Sequence, residues 1–157
     1  MRFLAANGAD TKTKTDKGAT VLMAAAGLGI WKFGESAGTN EEAFEATKVA
    51  WEFGSTDLDA QNENGDTALH GAALRGANPI IEFLVSKGAN MDIRNKIGWT
   101  PLTVTEGIQY PNTFNQWPES TKLLLKLGAK DSGIHRPEDV PILEVVGGAA
   151  RSIVKKP

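Results

Sequence analysis
The sequence predicts an all-α protein built as a stack of short helix-turn-helix pairs, and three observations carry that reading. GDTAL at Gly65 recurs as GWTPL at Gly98 and echoes backwards as GATVL at Gly18, and Thr67 and Thr100 stand 33 positions apart. Chains with that period usually stack small supersecondary units instead of wrapping one core. Inside the unit, apolar residues recur at helical spacing, with glycine-marked polar connectors between the helical runs.

In chain order, Phe3 to Asp10 (FLAANGAD) supply only the second half of a unit, ending at Gly8-Ala9. A helical remnant so short must lie on its neighbour, because helices below about 12 residues rarely persist alone. A truncated or internal start, with further units upstream, is therefore expected. The next unit runs through Thr20, Leu22, Ala25 and Ala26. Its span from Thr20 to Gly54 is 34 residues against 21 from Thr67 to Gly88, so 13 are inserted, around IWKFGESAGTN between the two helices. Glu41 to Phe53 then predicts a helix with Asn40 as N-cap, an apolar face of Ala43, Ala46, Val49, Ala50 and Phe53, and Gly54 closing it.

In the central unit Thr67 is the expected N-cap of a first helix carrying Leu69, Ala72 and Ala73, stopped at Gly76. Asn78-Pro79 restarts the chain into a second helix with Ile80, Ile81, Phe83, Leu84 and Val85, ended by Gly88. Asn95 and Gly98 fit the first and last places of a type I turn. The third unit opens on Thr100-Pro101-Leu102. From Thr100 to Gly128 it spans 28 residues, so 7 are inserted, around QYPNTFNQWP, before a Leu-rich helix from Glu119 to Leu127. After Asp131 the pattern stops, and Pro137, Pro141 and Gly147-Gly148 interrupt an apolar tail. The end of a stack generally needs a unit with a polar outer side, so this tail is expected to dock as a cap.

These residues resemble the ankyrin repeat, whose pattern is a turn, T-P-L-H-x-A, two antiparallel helices, and G-A leading into the next hairpin. Thr67, Leu69, His70, Ala72, Ala73, Gly76, Leu84, Gly88 and Ala89 fall on family positions, with Ala68 in place of Pro, while the next unit keeps Thr100, Pro101 and Leu102. Thr103, Thr105 and Glu106 stand where the family usually has His, Ala and Ala. The resemblance implies an ankyrin solenoid with a partial repeat at 1–14, repeats at 15–61, 62–94 and 95–133, and a cap or tail at 134–157. Two inter-helix insertions and a half-repeat start look like bacterial ankyrin segments of larger chains. His70 is implied to be structural, tying one repeat's turn to its neighbour.

Family partners usually meet the hairpin tips and the exposed side of the first helices. Here those positions hold Glu63, Asn64, Asp66, Leu74, Arg75, Lys96, Ile97 and Trp99. Trp99 is either a tip contact or packed against its neighbour's tip. The insertions add Trp31 and Phe33 on one side and Tyr110, Phe114 and Trp117 on the other. These aromatics either wall a cleft as partner anchors or fold back over the helix ends. The expected function is non-catalytic binding of an unidentified protein. The alternative is a small-molecule or glycan-binding or hydrolytic protein using the insertion cleft, with Glu35, Glu41, Glu42, Glu106 or Glu119 as general acid or base.

Composition narrows the classes. The 157 residues are 41% hydrophobic and 23% charged, about one domain of ordinary type. A formal charge of −2 and a pI near 5.7 offer no basic surplus for phosphates, so no nucleic-acid partner is expected. No run approaches the roughly 18 to 20 apolar residues that span a bilayer, so no membrane partner is expected either. Zero cysteines exclude disulfides and thiolate zinc sites. His135 has no ligand partner at metal spacing, so no metal and no cofactor are proposed. Gly27-Leu28-Gly29 with Gly34 lacks the spacing and preceding strand of a phosphate loop, and the lysines of TKTKTDK fit a solvated hairpin edge. The compartment stays open, with cytoplasm favoured over periplasm.

Overall fold
The computed structural model describes residues 2–3, 7–29, 38–107, 116–131 and 133. Among them six helices follow in order: α1 (Val21–Ala26), α2 (Asn40–Glu52), α3 (Ala68–Arg75), α4 (Asn78–Ser86), α5 (Pro101–Thr105) and α6 (Pro118–Leu127). The described residues hold no strand beyond one isolated antiparallel bridge between Lys14 and Thr20. α1 packs on α2, α3 on α4 and α5 on α6, while α1, α3 and α5 form one row and α2, α4 and α6 a second. This is the all-α solenoid that the period predicts. Most of both insertions and the C-terminal tail lie outside the described residues.

Four of these helices start at a threonine in extended backbone: Thr20, Thr39, Thr67 and Thr100. Asn40 is not the cap of α2. Thr39 Oγ1 accepts the Glu42 amide at 3.2 Å and the Glu42 carboxylate accepts the Thr39 amide at 2.8 Å. That reciprocal pair needs Thr and Glu three apart, which Asn40 lacks. The third helical position supplies a different acceptor in each first helix. Met23 Sδ takes the Thr20 amide at 3.4 Å, His70 Nδ1 takes the Thr67 amide at 3.2 Å, and the Thr103 hydroxyl meets that of Thr100 at 3.1 Å.

The core follows the repeat. Leu22, Leu69 and Leu102 occupy the same place in the three first helices, and Ile80, Ile81, Leu84 and Leu124 fill the second row, all within 2% of full burial. Each such side chain contributes about 1.5–3 kcal/mol of transfer free energy. On α2, Ala43, Val49 and Ala50 are buried as the periodicity requires, but Phe53 lies past the helix end and is 37% exposed. The third unit replaces alanine packing with hydrogen bonds. Thr105 Oγ1 donates to the Leu102 carbonyl at 2.7 Å and accepts from Thr121 Oγ1 at 2.9 Å, and the Thr105 carbonyl takes the Trp117 amide at 2.8 Å.

Between units the chain makes short turns closed by two main-chain bonds each: Gly18 to Thr15, Gly65 to Asn62 and Gly98 to Asn95, at 2.8, 2.9 and 2.9 Å, and Thr15 to Ala19, Asn62 to Asp66 and Asn95 to Trp99, at 2.9, 3.0 and 2.9 Å. Asn95 braces its turn from inside, its Oδ1 accepting the Ile97 and Trp99 amides and its Nδ2 donating to Asp66 Oδ1 at 2.8 Å. Main-chain amides of one unit donate to the unit before it: Glu63 to Lys17 O at 2.7 Å, Lys96 to Asn64 O at 2.9 Å, Asn90 to Asp59 Oδ1 at 3.0 Å and Lys130 to Asp92 Oδ1 at 2.9 Å.

His70 joins two units. Because Nδ1 accepts the Thr67 amide, the proton sits on Nε2, which donates to the Trp99 carbonyl at 3.0 Å. The ring is 2% exposed. Burial lowers its pKa below the ordinary 6.5, opposed by the bond to Trp99 and the charge of Asp66. The folded chain therefore holds the neutral ring. Its stabilisation is complete above 6.5 and is lost progressively as pH falls below that value, where only the unfolded ring takes up a proton.

Gly71 lies where α3 passes the chain just after α1, and an added Cβ there would stand 2.7 Å from the Leu28 amide nitrogen. Helix propensity alone favours Gly71→Ala by about 1 kcal/mol. Backbone crowding outweighs it, so urea titration should show a net loss of about 1–3 kcal/mol, and a gain in stability would contradict the close contact. The melting temperature of the wild type should fall between about pH 7 and pH 5, ahead of ordinary carboxylate protonation. A non-titrating His70→Gln variant should show a flatter profile over that window, whatever its absolute stability.

Candidate partner-binding surface
The predicted contact residues divide into those the fold consumes and those it leaves outward. Trp99 is consumed. Only 8% of it is exposed, its ring packs with Ala73, Val104 and Leu74, and its carbonyl serves Asn95 and His70. Asp66 is likewise buried, at 7% exposure, bonded to Asn95. For Trp99 the packed alternative is the one the fold adopts, and an indole that seals the tip and a carboxylate held by a buried amide leave little surface outward.

Arg75 is half-buried and committed to its own chain. Its Nε donates to Asn40 Oδ1 at 2.7 Å and its Nη2 to the Gly38 carbonyl at 2.9 Å, which clips the entrance of α2 to the end of α3. Leu74 is half-buried against the Trp99 cluster. Trp117, expected on an insertion wall or folded back, folds back. Its Nε1 donates to the Leu74 carbonyl at 3.0 Å and its ring covers Gly76. A Cβ at Gly76 would sit 2.2 Å from that ring, and the residue adopts φ +66, so both sterics and backbone require glycine there. Trp31, Phe33, Tyr110 and Phe114 lie outside the described residues.

Glu63, Asn64, Lys96 and Ile97 are what remains outward, all on two adjacent tips. Ile97 is 44% exposed, an apolar side chain on a turn whose backbone is fixed by Asn95. Lys96 lies beside it and is tied through its amide to Asn64. Glu63 pairs with Lys17 of the preceding tip at 3.0 Å, an exposed contact of small energetic weight. The tips thus carry mixed charge around one aliphatic point on a rigid base.

The carboxylates proposed for catalysis are differently placed. Glu35 lies outside the described residues. Glu42 accepts the Thr39 amide and Glu119 pairs with Lys122 at 2.9 Å. Glu41 lines an open depression of about 330 Å³ with Asn40, Phe44, Glu45, Asn78 and Pro79. The Thr39 hydroxyl beside it holds its carboxyl below the ordinary value, the direction opposite to that of a general acid. Among the described residues no cluster of three or more His, Asp or Glu is placed to hold a metal, and no helix is long and apolar enough to cross a membrane.

The sequence reading missed an aromatic row on the second helices. Phe83 receives Phe44 edge-on at 5.9 Å and Trp51 at 6.1 Å, while Lys48 covers Phe44 and Lys87 lies 5.5 Å from both Trp51 and Phe83. The signal was present: Phe44 and Trp51, seven apart, share one side of α2.

Comparison with known proteins agrees with this architecture. The family model for ankyrin repeats in three copies matches residues 37–132. Mouse protein phosphatase 1 regulatory subunit 27 is 32% identical over 84 residues, covering 54% of this chain and 50% of that protein. Mouse RelA-associated inhibitor is 49% identical over 41 residues, 26% of this chain and 5% of that one. The ankyrin repeat protein OPG189 of Variola virus is 30% identical over 102 residues, 65% of this chain and 16% of its own length. The chain thus spans half or less of the length of these relatives. They are mammalian and viral, so the bacterial expectation gains no support. With its period, its stacked helix pairs and this match, the chain belongs to the ankyrin repeat family.

Proposed function
We propose that the chain is a non-catalytic protein-binding module that engages its partner through the hairpin tips carrying Glu63, Asn64, Lys96 and Ile97. The exposure of Ile97 on a braced turn is the observation that carries this reading. A side chain held on a fixed backbone loses little freedom on binding, so a small apolar anchor with charged neighbours supplies affinity and orientation. Relatives named as a regulatory subunit and an inhibitor support action through another protein. Leu74 contributes only its half-exposed edge, and the aromatic insertions would extend the surface.

Affinity capture with the wild-type chain, followed by titration of the captured partner, tests the reading. Ile97→Asp should weaken binding by roughly tenfold or more, the scale of a lost anchor, and Lys96→Glu should reduce the association rate. Glu52→Ala, on the second-helix row, serves as the control. Unchanged affinity in Ile97→Asp with an intact circular dichroism spectrum would reject the tips as the contact.

The tail after residue 133 is proposed as the end cap, supported by Leu125 and Leu127, 50% and 36% exposed on α6. Removing it should lower the melting temperature or cause aggregation; an unchanged melt would reject the cap.

A further inference from the structure
The tip between α2 and α3 carries Asn64-Gly65, one of two Asn-Gly pairs in the chain. This pair is chemically special. The small, unbranched Gly65 leaves its main-chain nitrogen free to attack the Asn64 side-chain carbonyl carbon. The new N–C bond closes a succinimide ring, the Asn64 amide nitrogen leaves as ammonia, and water then opens the ring at either carbonyl to give aspartate or isoaspartate. No co-reactant beyond water is needed.

In the folded chain the main chain around that attack is held on both sides of the Asn64-Gly65 bond. The Gly65 amide donates to the Asn62 carbonyl at 2.9 Å, so its nitrogen is engaged. The Asn64 amide donates to Asn62 Oδ1 at 2.9 Å, and the Asn64 carbonyl accepts the Lys96 amide at 2.9 Å. The Gly65 carbonyl accepts from Gln61 Nε2 at 2.7 Å. Gly65 is buried against the next tip, where a Cβ would meet the Lys96 nitrogen at 2.9 Å, while Asn64 itself faces solvent. Rotation of the main chain on either side of the pair works against these bonds, the stitch to Lys96 among them.

We propose that Asn64 is a gated deamidation site, shut while the two tips are laced together and converting when they separate. The consequence is directional. Conversion places a new carboxylate beside Glu63 and Asp66, and the isoaspartate form adds a methylene to the main chain between positions 64 and 65. The isoaspartate product takes the carbonyl that accepts the Lys96 amide out of the peptide link, so a tip converted to that form is less able to close again. The site is argued from the turn's own bonds and stands apart from the partner reading.

The test follows the full chain in mildly alkaline buffer, folded and in parallel unfolded in urea, with mass-spectrometric peptide mapping at Asn64 and isoaspartyl methyltransferase labelling. Conversion should be at least about tenfold slower in the folded chain, which corresponds to a local opening free energy of about 1.4 kcal/mol or more. Asn62→Ala removes the side-chain brace and should raise the folded-state rate while leaving the urea rate unchanged. Fractionated isoaspartate-containing protein should melt below the parent, and Asn64→Gln should show no mass change at this position. Equal rates folded and unfolded, or no conversion of Asn64 in urea, would overturn the proposal. The wild-type comparison stands whether or not Asn62→Ala folds.

Discussion
The structure depends on buried polar groups that one unit cannot satisfy by itself. The Trp99 carbonyl is buried and receives the His70 ring from the unit before, and Asp66 receives the Asn95 amide from the unit after. Leaving any one of these groups unpaired costs about 1–3 kcal/mol, comparable to the burial of a whole leucine. The stacking is therefore specified by hydrogen bonding as well as by apolar contact. Leucines at matching positions bring the helices together, and the polar pairs admit one spacing between tips.

That constraint explains why the units tolerate different chemistry at the same place. A sulfur, an imidazole and a hydroxyl all stand three residues into a first helix after a threonine, and each answers the cap differently. His70 also reaches the neighbouring tip. The first helix of the third unit is short, with five residues, and threonine hydroxyls take over where alanines pack in the central unit. Local sequence decides how a helix begins; the neighbour decides how the unit is held.

The fold was legible because its signals are local or periodic. Thr67, Gly76 and Gly88 mark their element ends without reference to anything distant, and the recurrence at Thr100 sets the stack. The candidate site was legible only in part. Glu63, Asn64, Lys96 and Ile97 face outward as their turn positions require, but Asp66, Arg75, Trp99 and Trp117 are engaged by residues 29 to 43 positions away. A repeat pattern says which positions reach a tip or a helix end. It does not say which polar or aromatic side chain finds a partner in the adjoining unit, because that partner lies outside the pattern's own period. The Thr39 cap was misplaced by one residue for a smaller reason: asparagine and threonine are both good caps, and only the reciprocal glutamate separates them.

Among the described residues, the seam bonds donated by main-chain amides run from a later unit to an earlier oxygen: Glu63 to the Lys17 carbonyl, Lys96 to the Asn64 carbonyl, Asn90 to Asp59 Oδ1 and Lys130 to Asp92 Oδ1. A nascent chain emerges from its N-terminal end, so at these main-chain seams a newly finished unit presents oxygens and waits for amides still to be synthesised, while the side chains of Gln61 and His70 reach the other way, to the Arg94 and Trp99 carbonyls. Waiting oxygens are the less demanding kind, since a carbonyl or carboxylate hydrates readily and an orphaned N–H is the rarer defect in folded chains. The polarity of the seams therefore suits vectorial assembly, in which each unit is a landing platform for its successor.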